Sequence, residues 1–178
     1  MKLLFLSFLS LIAFSLTSKS QVIVSKLIGK DAGRYGLGFG GSALFDFQLA
    51  TENKSFRLDL ELIAFPEKKH KLSTAETGYK TLVSVRGGYK YVFSETQLGL
   101  YVVPSAGYSR LIIEEGGQTA GHSGIAGALE VGYTFELGQM ARKFNVGLKY
   151  EYDGVGSSNT IQSIGFRLMT PMKRLNRD

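Results

Sequence analysis

The chain has no cysteine, three prolines and two histidines in 178 residues. The lack of cysteine excludes disulfides, thiolate catalysis and sulfur-ligated metals together, and it argues against a small secreted domain held by cross-links. His70 and His122 stand far apart without an i,i+4 partner, so no histidine metal site is expected. Beyond the N-terminus no segment approaches the roughly 20 consecutive apolar residues of a spanning helix. A mature chain that crosses a membrane must therefore cross it as strands. Charge is also well balanced: the net +6 falls to about +4 without Lys2 and Lys19, too little to imply a nucleic-acid partner.

What is present is an ordered composition, 44% hydrophobic with 22 glycines and charges of both signs. Lys2 precedes an apolar stretch that runs to Leu16, and Ser18-Lys19-Ser20 follows with the small residues that a signal peptidase requires. This reads as a secretory signal over residues 1–20, with cleavage expected before Gln21. Residues 21–170 form the expected domain, and 171–178 a basic tail.

Within that domain apolar and polar side chains alternate in runs of about ten residues, the period of strands whose two faces meet different surroundings. Phe56, Leu58, Leu60, Leu62 and Ala64 share one face; Ser55, Arg57, Asp59 and Glu61 share the other. The same beat recurs from Tyr35 to Leu49, with Gly36, Gly38 and Gly40 on the polar side, and again over 81–93, 97–109, 125–137, 145–152 and 163–168. Gln21 to Gly29 is the least regular run. Pro104 lacks a ladder donor and should mark a bulge or bend. Gly36-x-Gly38-x-Gly40 opens no helix and so is not a nucleotide loop, and no other motif implies a cofactor.

The connections alternate in length. Ala50 to Lys54, Ser94 to Thr96 and Gly138 to Arg142 are short; Pro66 to Gly78, Glu114 to Ser123 and Asp153 to Asn159 are longer. Lys30 to Arg34 completes the longer set, which gives eight strands with both termini on the short-turn side, as in outer-membrane barrels. Aromatic residues gather near both predicted rims, with Phe45, Phe47, Phe56, Tyr91, Phe93, Tyr133 and Phe135 at one and Tyr35, Phe65, Tyr79, Tyr108, Tyr150 and Tyr152 at the other.

On this pattern the chain resembles the small eight-stranded outer-membrane β-barrels, the class of the OmpA transmembrane domain and the OmpX-like proteins. The resemblance covers nearly all of Gln21 to Leu168 and implies an all-β, antiparallel up-and-down transmembrane barrel in the outer membrane, with both termini periplasmic. It also implies the barrel-assembly machinery as a partner. Such chains commonly end on an aromatic residue that this machinery reads, whereas here Phe166 and Leu168 precede a basic tail, so the signal is expected around Ile164-Gly165-Phe166.

Eight strands enclose a space that side chains can fill. The inward face carries Asp46, Arg57, Asp59, Glu61, Arg86, Lys90, Glu130, Glu136, Lys149, Glu151 and Arg167. Hairpin geometry sets Arg86 near Asp59 and Glu61, and Glu130 near Lys149, so a paired ionic plug is expected rather than an ion gate. Lys68, Lys69, His70 and Lys71 form a protruding basic cluster suited to lipopolysaccharide phosphates or an acidic surface partner. The expected function is a non-enzymatic envelope scaffold or surface-binding protein. Two alternatives stand beside it. A soluble lipocalin-like carrier would turn the apolar face inward, and a lipid-modifying enzyme would draw on His122 and Ser123, which the sequence sets in a glycine-rich loop.

Overall fold

The computed structural model describes residues 19–49, 51, 53–68, 78–115, 118–137, 142–155 and 159–170. Eight antiparallel strands follow one another around a closed barrel: β1 (Lys19–Ile28), β2 (Leu37–Gln48), β3 (Lys54–Pro66), β4 (Tyr79–Val92), β5 (Gly99–Glu115), β6 (Gln118–Leu137), β7 (Arg142–Val155) and β8 (Asn159–Thr170). β1 pairs with β8, Val22 opposite Leu168 and Ile28 opposite Gln162, and this closure leaves no free sheet edge around the girth. The chain enters and leaves at one end, here termed the terminal end; the other is the distal end.

Alternation decides which face is inside. Lys149 and Glu61 are 1% and 3% exposed, whereas Val131 and Leu148 are 44% and 59% exposed. Leu37, Phe39, Leu62, Val85, Ile125, Leu129 and Phe166 join the exposed apolar surface. A soluble carrier needs the reverse arrangement, so the lipocalin-like alternative does not fit. A continuous apolar exterior far exceeds what a soluble monomer leaves in water and is the surface that hydrocarbon covers.

The structure changes several expectations about connections. Glu114, Glu115 and residues 118–123 are strand rather than loop, because β5 runs to Glu115 and β6 starts at Gln118, with Glu114 opposite Thr119 and Leu111 opposite His122. Small and hydroxylated residues here extend a hairpin, which backbone pairing supports whatever the side chains. Likewise Asp153 belongs to β7, which continues to Val155. The strict short-long alternation therefore fails at two of its longer members. Pro104 produces no bulge: Gly88 pairs with Ser105 and Tyr91 with Val102 in one unbroken register, and only the intervening pairs drop out of the β4–β5 ladder. The missing proline N–H interrupts bonding without inserting a residue.

Two expected rim aromatics lie inside. Tyr35 precedes β2, touching the sheet only through an isolated bridge to Glu67, so the outward parity of Leu37 and Phe39 does not extend to it. Phe65 is the odd-numbered partner of inward Ile63. A Cβ on Gly38 would collide with its ring, so the glycine face of β2 makes the space that Phe65 fills.

Candidate functional site

The bore is filled in three layers. At its middle, β3 carries Arg57, Asp59 and Glu61 inward, and the β3–β4 register sets Asp59 opposite Arg86. Arg86 Nη2 donates to Glu61 Oε2 at 2.6 Å and lies 3.5 Å from Asp59 Oδ2. Lys149 Nζ donates to Glu61 at 2.5 Å and is 2.8 Å from Glu151 Oε2. Arg86 also pairs with Glu151, and Arg167 with Glu61.

Glu130 behaves differently from its expected pairing. It faces Lys149 across the β6–β7 ladder, yet its carboxylate accepts from Arg167 Nη1 at 2.8 Å, Arg57 Nη1 at 3.3 Å and the Tyr101 hydroxyl at 2.9 Å. Arg167 Nη2 reaches Asp59 at 2.5 Å, and Arg57 holds Asp46 through Nε and Nη2 at 2.8 and 3.3 Å. Guanidinium forks thus bridge acids from different strands across the bore, a geometry that lysine cannot reproduce. Glu136 is exposed at the terminal rim and lies outside this layer.

Apolar layers close both sides. Distally, Ile23, Leu27, Tyr35, Ile63, Phe65, Leu82, Leu111, Val155 and Ile161 form one cluster. At the terminal side Leu44, Val92, Tyr101, Val103 and Met169 form another. Between them the ionic layer leaves a cavity of about 10 Å³, room for one water at most. Such a bore cannot carry hydrated ions, and its charges are enclosed by protein inside and by the apolar exterior outside.

The distal mouth is braced. Lys80 Nζ donates to Asp31 Oδ2 at 2.9 Å and lies over the Tyr35 ring, while Arg34 Nε donates to Glu67 Oε1 at 2.7 Å. Lys68 is exposed, and its Nζ donates to the Ala32 carbonyl at 3.2 Å. Lys69, His70 and Lys71 lie outside the described residues. His122 and Ser123 are neighbours in extended β6 and so point to opposite faces, which prevents them from converging on one substrate atom. Among the described residues no group of three or more His, Asp or Glu is arranged to hold a metal ion.

By sequence the chain matches no family model and no curated protein. By structure it is similar to Neisserial surface protein A (TM-score 0.62, 15% identity, covering 87% of this chain and 96% of that one). It is similar also to Ail, the attachment invasion locus protein of Yersinia pestis, in complex with the heparin analogue sucrose octasulfate (0.55, 15%, 86% and 95%). A further neighbour is the N-terminal β-barrel domain of Pseudomonas aeruginosa OprF (0.50, 15%, 86% and 97%). The fold is that of the small eight-stranded outer-membrane β-barrels. Within that fold the middle of the bore of this chain is filled by its own side chains.

Sequence reasoning missed three inner features. Asp153 is fully buried beside Ser109 and joins none of the ion pairs described above. The Tyr101 hydroxyl enters the ionic layer, and Lys80 with Asp31 braces the distal mouth. Strand parity sets Tyr101 on the polar face without revealing its hydroxyl's partner, and could have placed Lys80 inward, whereas Asp153 was hidden by the loop-like Gly-Val-Gly-Ser-Ser that follows it.

Proposed function

We propose that the protein is a non-enzymatic outer-membrane barrel with both termini in the periplasm, and that its distal loops bind an anionic surface, lipopolysaccharide phosphate being the nearest available. One observation carries the reading: the middle of the bore is filled by an ionic layer between two apolar ones, which favours recognition by loops on the barrel. The distal end displays Lys30, Arg34 and Lys68, and the sequence adds Lys69 and Lys71 beside them. Support for a polyanion also comes from the solved complex of Ail with a heparin analogue. Folding would be assisted by the barrel-assembly machinery, and a further surface partner is compatible with the same loops.

The test replaces Lys68, Lys69 and Lys71 together by Gln and measures binding of the folded protein to lipopolysaccharide and to heparin across a salt series. The triple variant should bind at least tenfold more weakly at low salt, and the salt dependence should flatten. Unchanged affinity overturns the loop reading. An epitope inserted after Lys71 should be stained on intact cells; staining only after permeabilisation reverses the orientation.

A further inference from the structure

The terminal mouth is lined unlike the rest of the bore, which holds paired ions or hydrocarbon. A concave space of about 200 Å³ opens there, with Val92 of the terminal apolar layer in its wall. Two cross-strand pairs of polar side chains line it: Gln48 of β2 opposite Ser55 of β3, and Thr134 of β6 opposite Asn145 of β7. Asn53 from the β2–β3 turn and Gln97 from the β4–β5 turn add two more amides. Thr134 Oγ1 donates to Asn145 Oδ1 at 2.5 Å, which fixes that pair and leaves the Asn145 Nδ2 to donate elsewhere. The side chains of Gln48, Asn53 and Ser55 form no hydrogen bond among the described residues, so they are open to a ligand.

The charged members of the wall are answered within the protein. Asp46 accepts from both ends of the Arg57 fork, and Lys90 Nζ lies 4.5 Å from the centre of the Tyr101 ring. Lys143 Nζ donates to Gln97 Oε1 at 3.4 Å and stands opposite Glu136 across the β6–β7 ladder. What the wall offers a ligand is therefore neutral: amides and hydroxyls that both donate and accept, with the methyl groups of Val92 among them. Its volume is below the ~300–1,000 Å³ of sites for drug-sized ligands, which limits the occupant to about one six-membered ring. An uncharged ring with hydroxyls around its edge and C–H groups on its face complements such a wall.

We propose that the terminal mouth binds one uncharged sugar ring, its hydroxyls meeting the two cross-strand pairs and its C–H face meeting Val92. An acetamido group on the ring finds its partners in the same amides. The site lies at the opposite end of the barrel from the basic loops, and its binding in solution does not rest on the loop reading.

Titration calorimetry on the full chain in phosphocholine micelles, which carry no sugar of their own, tests this with methyl glucoside and N-acetylglucosamine as neutral probes and glucuronate as the charged counterpart. At least one neutral sugar should bind saturably at one site, more tightly than glucuronate, and its affinity should not change across a salt series. Gln48 and Ser55 stand side by side at the rim, and the double variant Gln48→Met with Ser55→Ala should weaken that binding about tenfold while the unboiled protein keeps its folded gel mobility. Absence of saturable binding for both neutral sugars overturns the proposal. So does binding that the folded double variant leaves unchanged, or glucuronate binding more tightly than methyl glucoside.

Discussion

Glu61 and Asp153 offer a direct test of how the ionic layer is held. The described middle of the bore carries the acids Asp46, Asp59, Glu61, Glu130, Glu151 and Asp153 against the bases Arg57, Arg86, Lys90, Lys149 and Arg167, one more acid than base. Removing the charge of either Glu61 or Asp153 therefore balances the count equally. Their surroundings differ. Glu61 receives Arg86, Lys149 and Arg167, whereas Asp153 makes no ion pair among the described residues and lies beside the Ser109 hydroxyl, with Arg86 and Lys149 acting on it from farther off. If net charge governs stability, Glu61→Gln and Asp153→Asn should behave alike. If local pairing governs it, Glu61→Gln leaves three enclosed cations short of a partner and should cost about 3–5 kcal/mol, the usual penalty for breaking a buried pair from one side. Asp153→Asn should then stay within about 1 kcal/mol of the parent or stabilise it, because it removes a buried charge that no cation meets at contact distance. Urea titration of the barrel folded in phosphocholine vesicles, read by the mobility of the unboiled protein on gels, measures both. Equal midpoints for the two variants would refute the pairing argument.

Two further outcomes follow from the same geometry. The double variant Glu61→Gln with Arg86→Gln should show no new single-channel conductance in planar bilayers, because the layers around Phe65 and Tyr101 still close the bore on both sides; stable openings would make the ionic layer a gate. Val131→Arg places a cation on the exposed face at mid-strand and should destabilise the folded barrel by about 2–4 kcal/mol in vesicles, while the same substitution at exposed Glu136 should be nearly neutral; equal effects would contradict a hydrocarbon belt.

Much of this architecture is visible in one dimension because strand parity has a period of two and a barrel makes every strand obey it. The inward placement of Arg57, Asp59 and Glu61 follows from the outward Leu58, Leu60 and Leu62. The Asp59–Arg86 pairing follows from counting inward from both ends of the Pro66 to Gly78 connection. Contacts across the bore are another matter. Nothing in the β6–β7 register says that Glu130 will prefer Arg57 and Arg167 to the lysine opposite, since that choice depends on the barrel's width and on the reach of the guanidinium. The apolar layers were obscured for a related reason. A search for polar residues on the inner face passes over Ile63, Phe65 and Leu82, although each has inward parity, and rim aromatics such as Phe65 look the same in sequence whichever way they turn.

The order of the layers limits what the protein can do. An ionic layer open to water on one side can exchange ions and sense their charge, but here Ile63, Leu82 and Leu111 cover it distally while Leu44, Val103 and Met169 cover it at the terminal end, where Asp46 reaches the mouth. The buried ion pairs are therefore the interactions least able to meet a ligand. They fix the cross-section of the barrel from inside, because each guanidinium ties strands that are not neighbours: Arg167 of β8 binds Asp59 and Glu61 of β3 and Glu130 of β6. Ties of this kind across the bore resist flattening of the barrel. The buried charge at the centre of the barrel thus ties its strands together from inside.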